Sequence, residues 1–168
     1  MNVVRLLMRQ NLLSRTYKDQ MVYAPKRYFT GLTPTQKRQR LERMREGSRS
    51  SPSDPRAYRP FKTDKNRPVR KSKYTKKFES LYPEARSLRD KARVTGVPLN
   101  IIKKVYNKGL AAWRTGHRPG ASQQAWGYAR VHSFLTRGKT FYTTDAHLVQ
   151  EAIPRMKPRD VKKWASIR

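Results

Sequence analysis

Forty lysines and arginines must be accommodated in this chain beside only eleven aspartates and glutamates, a formal net charge of +29. That imbalance constrains the fold more than any motif does. A free globule would strain under that self-repulsion, and cells offer many anionic partners to relieve it. A chain of this kind is expected to lie against phosphates, an acidic protein surface, or both. Apolar residues make up 36%, and the eight glycines bring that to about 41%, short of the ~45–50% usual for soluble globular proteins. One core holding all 168 residues is therefore not expected. There is no cysteine, which excludes disulfides and thiolate metal sites. No apolar run approaches the roughly 18 residues needed to span a bilayer.

The charge is unevenly distributed, and the chain divides near Phe78. Residues 1–78 carry 22 basic and 5 acidic residues, and residues 79–168 carry 18 and 6. The first eighteen residues place Arg5, Arg9 and Arg15 among Val4, Leu7, Met8 and Leu12 at helical spacing. This is the composition of a mitochondrial targeting helix; the other reading is an amphipathic anchor that packs on a partner. A helix is expected over about 34–46, with Thr33 as cap, Pro34 at the first position, Gln36 closing a capping box and Gly47 as the stop. Leu41 and Met44 are almost its only apolar residues, so it is expected to lie on an acidic surface rather than on a core. Prolines 52, 55, 60 and 68 then disfavour regular structure through residues 47–78. Tyr58, Phe61, Val69, Tyr74 and Phe78 recur along this strap, which would gain order by wrapping another macromolecule.

Residues 79–168 read as a compact helical domain. Helices are expected after Pro83 up to Gly96, from Pro98 through Trp113, from Ser122 to Gly138, over Ala146–Ile153, and from Pro158 through Trp164. The "KTFYTT" stretch reads as an extended link. The fold class is thus mainly α: a small helical domain at the C-terminal end, preceded by a long extended basic arm with one or two isolated helices.

"AAWRTGHRPGASQQAWGYARVHSF", Ala111–Phe134, concentrates tryptophan, histidine and arginine without a carboxylate. None occurs between Asp90 and Asp145, while ten Lys or Arg do. Paired-carboxylate chemistry and carboxylate-held Mg²⁺ therefore have no local ligands. His117, His132 and His147 lie fifteen residues apart, a spacing with no local chelating mechanism. No catalytic, cofactor or metal residue is assigned. Trp113 and Trp126 are placed to meet across the turn, with Tyr106, Gly109 and Phe134 in the same core. At the C-terminus of the first helix, His117 and Arg118 suit the exposed carbonyls. Candidate contacts to a partner or an anion are Arg114, His117, Arg118 and Arg130, with Lys37 and Arg38 on the charged helix and Arg70 and Lys71 in the strap. The turn Thr115–Ala121 is longer than the DNA-reading helix-turn-helix allows. Non-specific contact to phosphates stays open.

The string through Val105, Tyr106, Gly109, Ala111–Gly120, Trp126, Gly127, Ala129–Val131, Ser133 and Phe134 resembles an uncharacterised domain family. Its members occur in large nucleocytoplasmic DNA viruses of the chlorella-virus type and in tailed phages. "RYFTGLTPTQKRQRLERM" and "RKSKYTKKF" are similar to lead-in segments of the large-virus members. The resemblance implies viral origin and no established activity, so no catalytic residue is carried over. With the basic arm, it leads to the expectation of a non-enzymatic minor capsid protein on the inner face of an icosahedral shell. Its partners would be major and other minor capsid proteins, with contact to DNA or to an inner-membrane surface left open. The alternatives are a non-specific DNA-binding packaging protein of the virion and, third, a ribosomal protein of the mitochondrial matrix.

Overall fold

A computed structural model describes residues 24–167; the amphipathic segment 1–18 lies outside them. The described chain is mainly helical and contains no strand among the described residues. It forms two compact units that interleave in sequence. One comprises the described residues up to Val69 together with Ala112–Ala121, and the other Arg70–Ala111 together with the chain from Ser122 onward.

The first unit is built on helix α1, Pro34–Arg49. Thr33 and Gln36 make the reciprocal capping box, with Pro34 in the first turn. The helix does not stop at Gly47, which lies within it and is buried; Ser50 is the C-cap. Gly47 is the one residue small enough for its place, because a Cβ there would run into the backbone carbonyl of Arg114. The Arg114 guanidinium also donates to the Gly47 carbonyl. Leu41 and Met44 turn inward with Phe29, Leu32, Ala57, Phe61 and Trp113. Two short 3₁₀ turns, Pro55–Tyr58 and Lys62–Asp64, pack on α1. The proline-rich strap thus departs from the extended reading between Pro52 and Asp64. Its prolines forbid long helix but open 3₁₀ turns, which need only local hydrogen bonds.

The second unit holds seven helices among the described residues. They are α2 (Lys73–Leu81), α3 (Leu88–Thr95), α4 (Leu99–Trp113), α5 (Gln123–Leu135), α6 (Lys139–Tyr142), α7 (Ala146–Ala152) and α8 (Pro158–Ser166). The last two residues of α4 belong to the first unit. Ser72, Ser87 and Ser122 cap α2, α3 and α5, and Gly96 ends α3 at φ +73°. Phe78, Ile101, Ile102, Val105, Val131, Phe134, Leu135 and Trp164 form the buried centre. Side chains of this size each contribute about 1.5–3 kcal/mol when removed from water. Helices α4 and α5 meet at two glycines: a Cβ on Gly109 would lie 2.7 Å from the Gly127 Cα. Asp145, wholly buried, accepts from Arg130 at 2.9 and 2.7 Å, and its Oδ1 pairs with the Lys108 ammonium at 2.9 Å. The stretch read as an extended link forms α6, because Phe141 packs its ring on Trp164 at 5.1 Å.

The boundary therefore falls elsewhere than Phe78. Phe78 and Tyr74 belong to the second unit, and the Gly-His-Arg-Pro-Gly turn belongs to the first.

Candidate functional site: an arginine-lined groove over a buried ion cluster

Within the first unit, α1 carries Thr35, Arg38, Gln39, Glu42, Arg43 and Glu46 at steps of three and four, a single stripe along the helix. Facing it is the segment Arg59–Thr63. Between them runs a groove of about 600 Å³. Arg43 crosses it: the guanidinium lies 5.2 Å from the centre of the Phe61 ring. Its Nη2 donates to the carbonyls of Ala57 at 2.8 Å and Arg59 at 3.2 Å, and its Nη1 stands 3.7 Å from Glu46. Arg38, Arg59 and Lys62 are exposed along the walls.

Arg40, also part of the lining, is 0% exposed. Burying a guanidinium is tolerable only when its charge and its N–H groups are matched. Here Nη1 donates to Thr63 Oγ1 at 2.7 Å and to Asp64 Oδ1 at 2.8 Å, and Nη2 donates to the His117 carbonyl. The Phe61 ring face lies 4.9 Å away. Burial pulls the Arg40 pKa below its ordinary value, against the support of Asp64.

Asp64 joins three parts of the unit. Besides Arg40 it accepts from the backbone N–H of Gly120 at 3.1 Å, and its Oδ2 lies 2.6 Å from His117 Nε2. Burial raises the Asp64 pKa, but His117 and then Arg40 outweigh it and hold the carboxyl below the usual carboxylate range. His117 Nδ1 faces the Trp113 carbonyl at 2.9 Å, so both ring nitrogens stand before oxygens that accept. The ring stacks on Trp113 at 4.3 Å and 8°, with Phe61 edge-on to both. Trp113 Nε1 donates to Ala121 O at 2.7 Å, which closes the turn.

A second polar cluster lies in the other unit. Lys91, 3% exposed, donates to the carbonyls of Ala85 and Arg86 at 2.7 and 2.8 Å, with the rings of Phe78 and Tyr128 at 5.0 and 5.2 Å. His132, 4% exposed, stacks on Phe78, and its Nδ1 pairs with the Thr75 hydroxyl at 3.0 Å. Its Nε2 has no hydrogen-bond partner. Burial, then the charge of Lys91, pushes its pKa down to about 4.

The residues singled out by sequence are thus divided. Arg114 is bonded to Gly47, His117 is buried on Asp64, Arg130 is held by Asp145, and Lys71 is paired with Glu79. Arg38, Arg70 and Arg118 are exposed, and Lys37 is half-buried. Trp113 and Trp126 fall in different units; Tyr106 meets Tyr128 edge-on at 5.1 Å, and Phe134 lies in the second core. Sequence reasoning passed over Arg40, Arg43 and Asp64, and took Phe61 only as one of the apolar residues by which the strap would hold a partner. The signal for Asp64 was available: it is one of two carboxylates between Glu46 and Glu79. A carboxylate so isolated among cations has somewhere specific to be.

Among the described residues no helix is long and apolar enough to cross a membrane, and no group of three His, Asp or Glu side chains is placed to hold a metal ion. Comparison with curated proteins and with solved structures gave no match. A family match does cover residues 25–150, which takes in α1, the groove, the ion cluster and most of the helical core. On that match the chain belongs to the family described as a family of unknown function, DUF5824.

Proposed function

We propose that this chain is a non-enzymatic structural protein of a virion, a minor capsid protein seated on the inner face of an icosahedral shell. The viral setting comes from the resemblance of the Val105–Phe134 string. The observation that carries the structural role is where the acids go. Asp64 and Asp145 are committed to internal ion clusters, Asp54 and Asp90 to helix starts, and Glu79 and Glu151 to lysines. Few are left to neutralise the exterior. Arg38, Lys62, Arg89 and Lys162 are exposed and make no ion pair with an acid among the described residues. A surface left this positive associates with anionic neighbours and is costly to leave alone. Many weak contacts in parallel would then hold shell components together.

The direct test uses virions that contain the chain, opened and treated with nuclease. The protein is expected to stay with the emptied shells, and shells assembled without it should lose thermal stability. Release of the chain with the DNA would overturn the reading. Deleting residues 1–78 is not a usable test, since it removes the partners of Trp113 and His117.

A second reading, a genome-packaging protein, is favoured by one feature. Arg89 and Arg93 lie one turn apart on α3, and α8, which packs on α3, carries exposed Arg159 and Lys162. Such rows suit a duplex backbone. If these four cations grip phosphates, the affinity of the full chain for duplex DNA falls ~10²-fold between about 50 and 200 mM salt. A shallow dependence would dispose of this second role.

A further inference from the structure

We infer that the groove between α1 and the Arg59–Thr63 segment binds an extended acidic segment of a neighbouring polypeptide. The inference deepens the capsid reading and rests on it for the kind of partner. Two observations carry it.

The first is charge. Arg38 and Lys62 are exposed on the groove walls without an acid partner among the described residues. Arg43 is pinned in place by two carbonyls and the Phe61 ring, so little conformational freedom is lost when it meets an anion. Its nearest carboxylate stands off at 3.7 Å, a loose pair that an occupant's carboxylate can replace.

The second discriminates between anions. The same wall carries Glu42 and Glu46, one turn apart. A phosphodiester strand has a charge at every nucleotide and would have to pass both carboxylates, where like charges repel. A polypeptide can set its acidic side chains beside Arg38 and Lys62 and its amides or basic side chains beside the glutamates. Alternating polarity along the groove therefore selects protein over nucleic acid.

The experiment measures fluorescence anisotropy of a labelled short peptide of alternating glutamate and threonine with the full chain at about 150 mM salt, where long-range attraction is screened. The groove variant is Arg38→Glu with Lys62→Glu. The control is Arg89→Glu with Arg93→Glu, an equal change of net charge in the other unit. Circular dichroism checks that both fold. The groove variant is expected to bind the peptide about 10-fold more weakly and the control within about 2-fold of the parent. The matching glutamine–threonine peptide should not bind. Equal losses in the two variants would reduce the effect to net charge and overturn the proposal. So would a single-stranded oligonucleotide that binds more tightly than the peptide and loses as much from the groove substitutions. No shell enters this measurement, so its failure is separable from failure of the capsid reading, which is decided by the opened virions.

Discussion

Asp64 takes a hydrogen bond from Arg40, another from Gly120, and faces His117 Nε2 at 2.6 Å. Replacing it by asparagine keeps the shape and removes the charge that makes the burial of Arg40 tolerable. Breaking one side of a buried pair costs ~3–5 kcal/mol, so Asp64→Asn is expected to lower unfolding stability by that order in urea titration. The pH dependence has a definite sign. The folded carboxyl titrates below its usual range; its contribution is complete above about pH 4 and is lost as pH falls through the lower, folded value. His132 acts in the same direction at higher pH. The fold keeps it neutral, with a pKa of about 4 against 6.5. Its contribution is full above pH 6.5 and is withdrawn as pH falls toward 4, by about 3 kcal/mol in all. His132→Gln is expected to flatten the stability profile across that interval, whatever its effect at neutral pH. An unchanged slope would mean that His132 is not the group responsible.

At the scale of elements, what was legible in the sequence was what is local. The Thr33–Gln36 box, the cap at Ser122 and Gly96 at the end of its helix each involve residues within a few positions, and all are present, whereas the helix expected after Pro83 begins only at Leu88, behind a Ser87 cap that was not foreseen. What escaped was decided at a distance. Arg40 is buried because Asp64 and His117 reach it across 24 and 77 residues. Nothing in the α1 sequence distinguishes that arginine from Arg38. The same holds for α6, where the weak strand preference of Thr-Phe-Tyr yields to Phe141 packing on Phe134 and Trp164. Gly47 looked like a helix stop and serves as a gap for the Arg114 carbonyl. The two readings predict opposite results for Gly47→Ala. Helix preference alone would add up to ~1 kcal/mol; the close approach makes the substitution destabilising by ~1–3 kcal/mol, measurable by thermal unfolding.

At the scale of the whole molecule, each unit has its own buried centre, so damage should stay where it is done. Hydrogen exchange on Asp64→Asn is expected to show lost protection in α1, with α5 changed by no more than about 0.5 kcal/mol. Equal loss in both would mean a single cooperative block. The interleaving has a further consequence, in the order of synthesis. A ribosome that has released residues up to 111 has delivered Arg40 and Asp64 but not Trp113, His117 or Gly120, which complete their cluster. Through that interval the first unit is an unfinished polycation beside ribosomal RNA, and only emergence of the Gly-His-Arg-Pro-Gly turn lets it close.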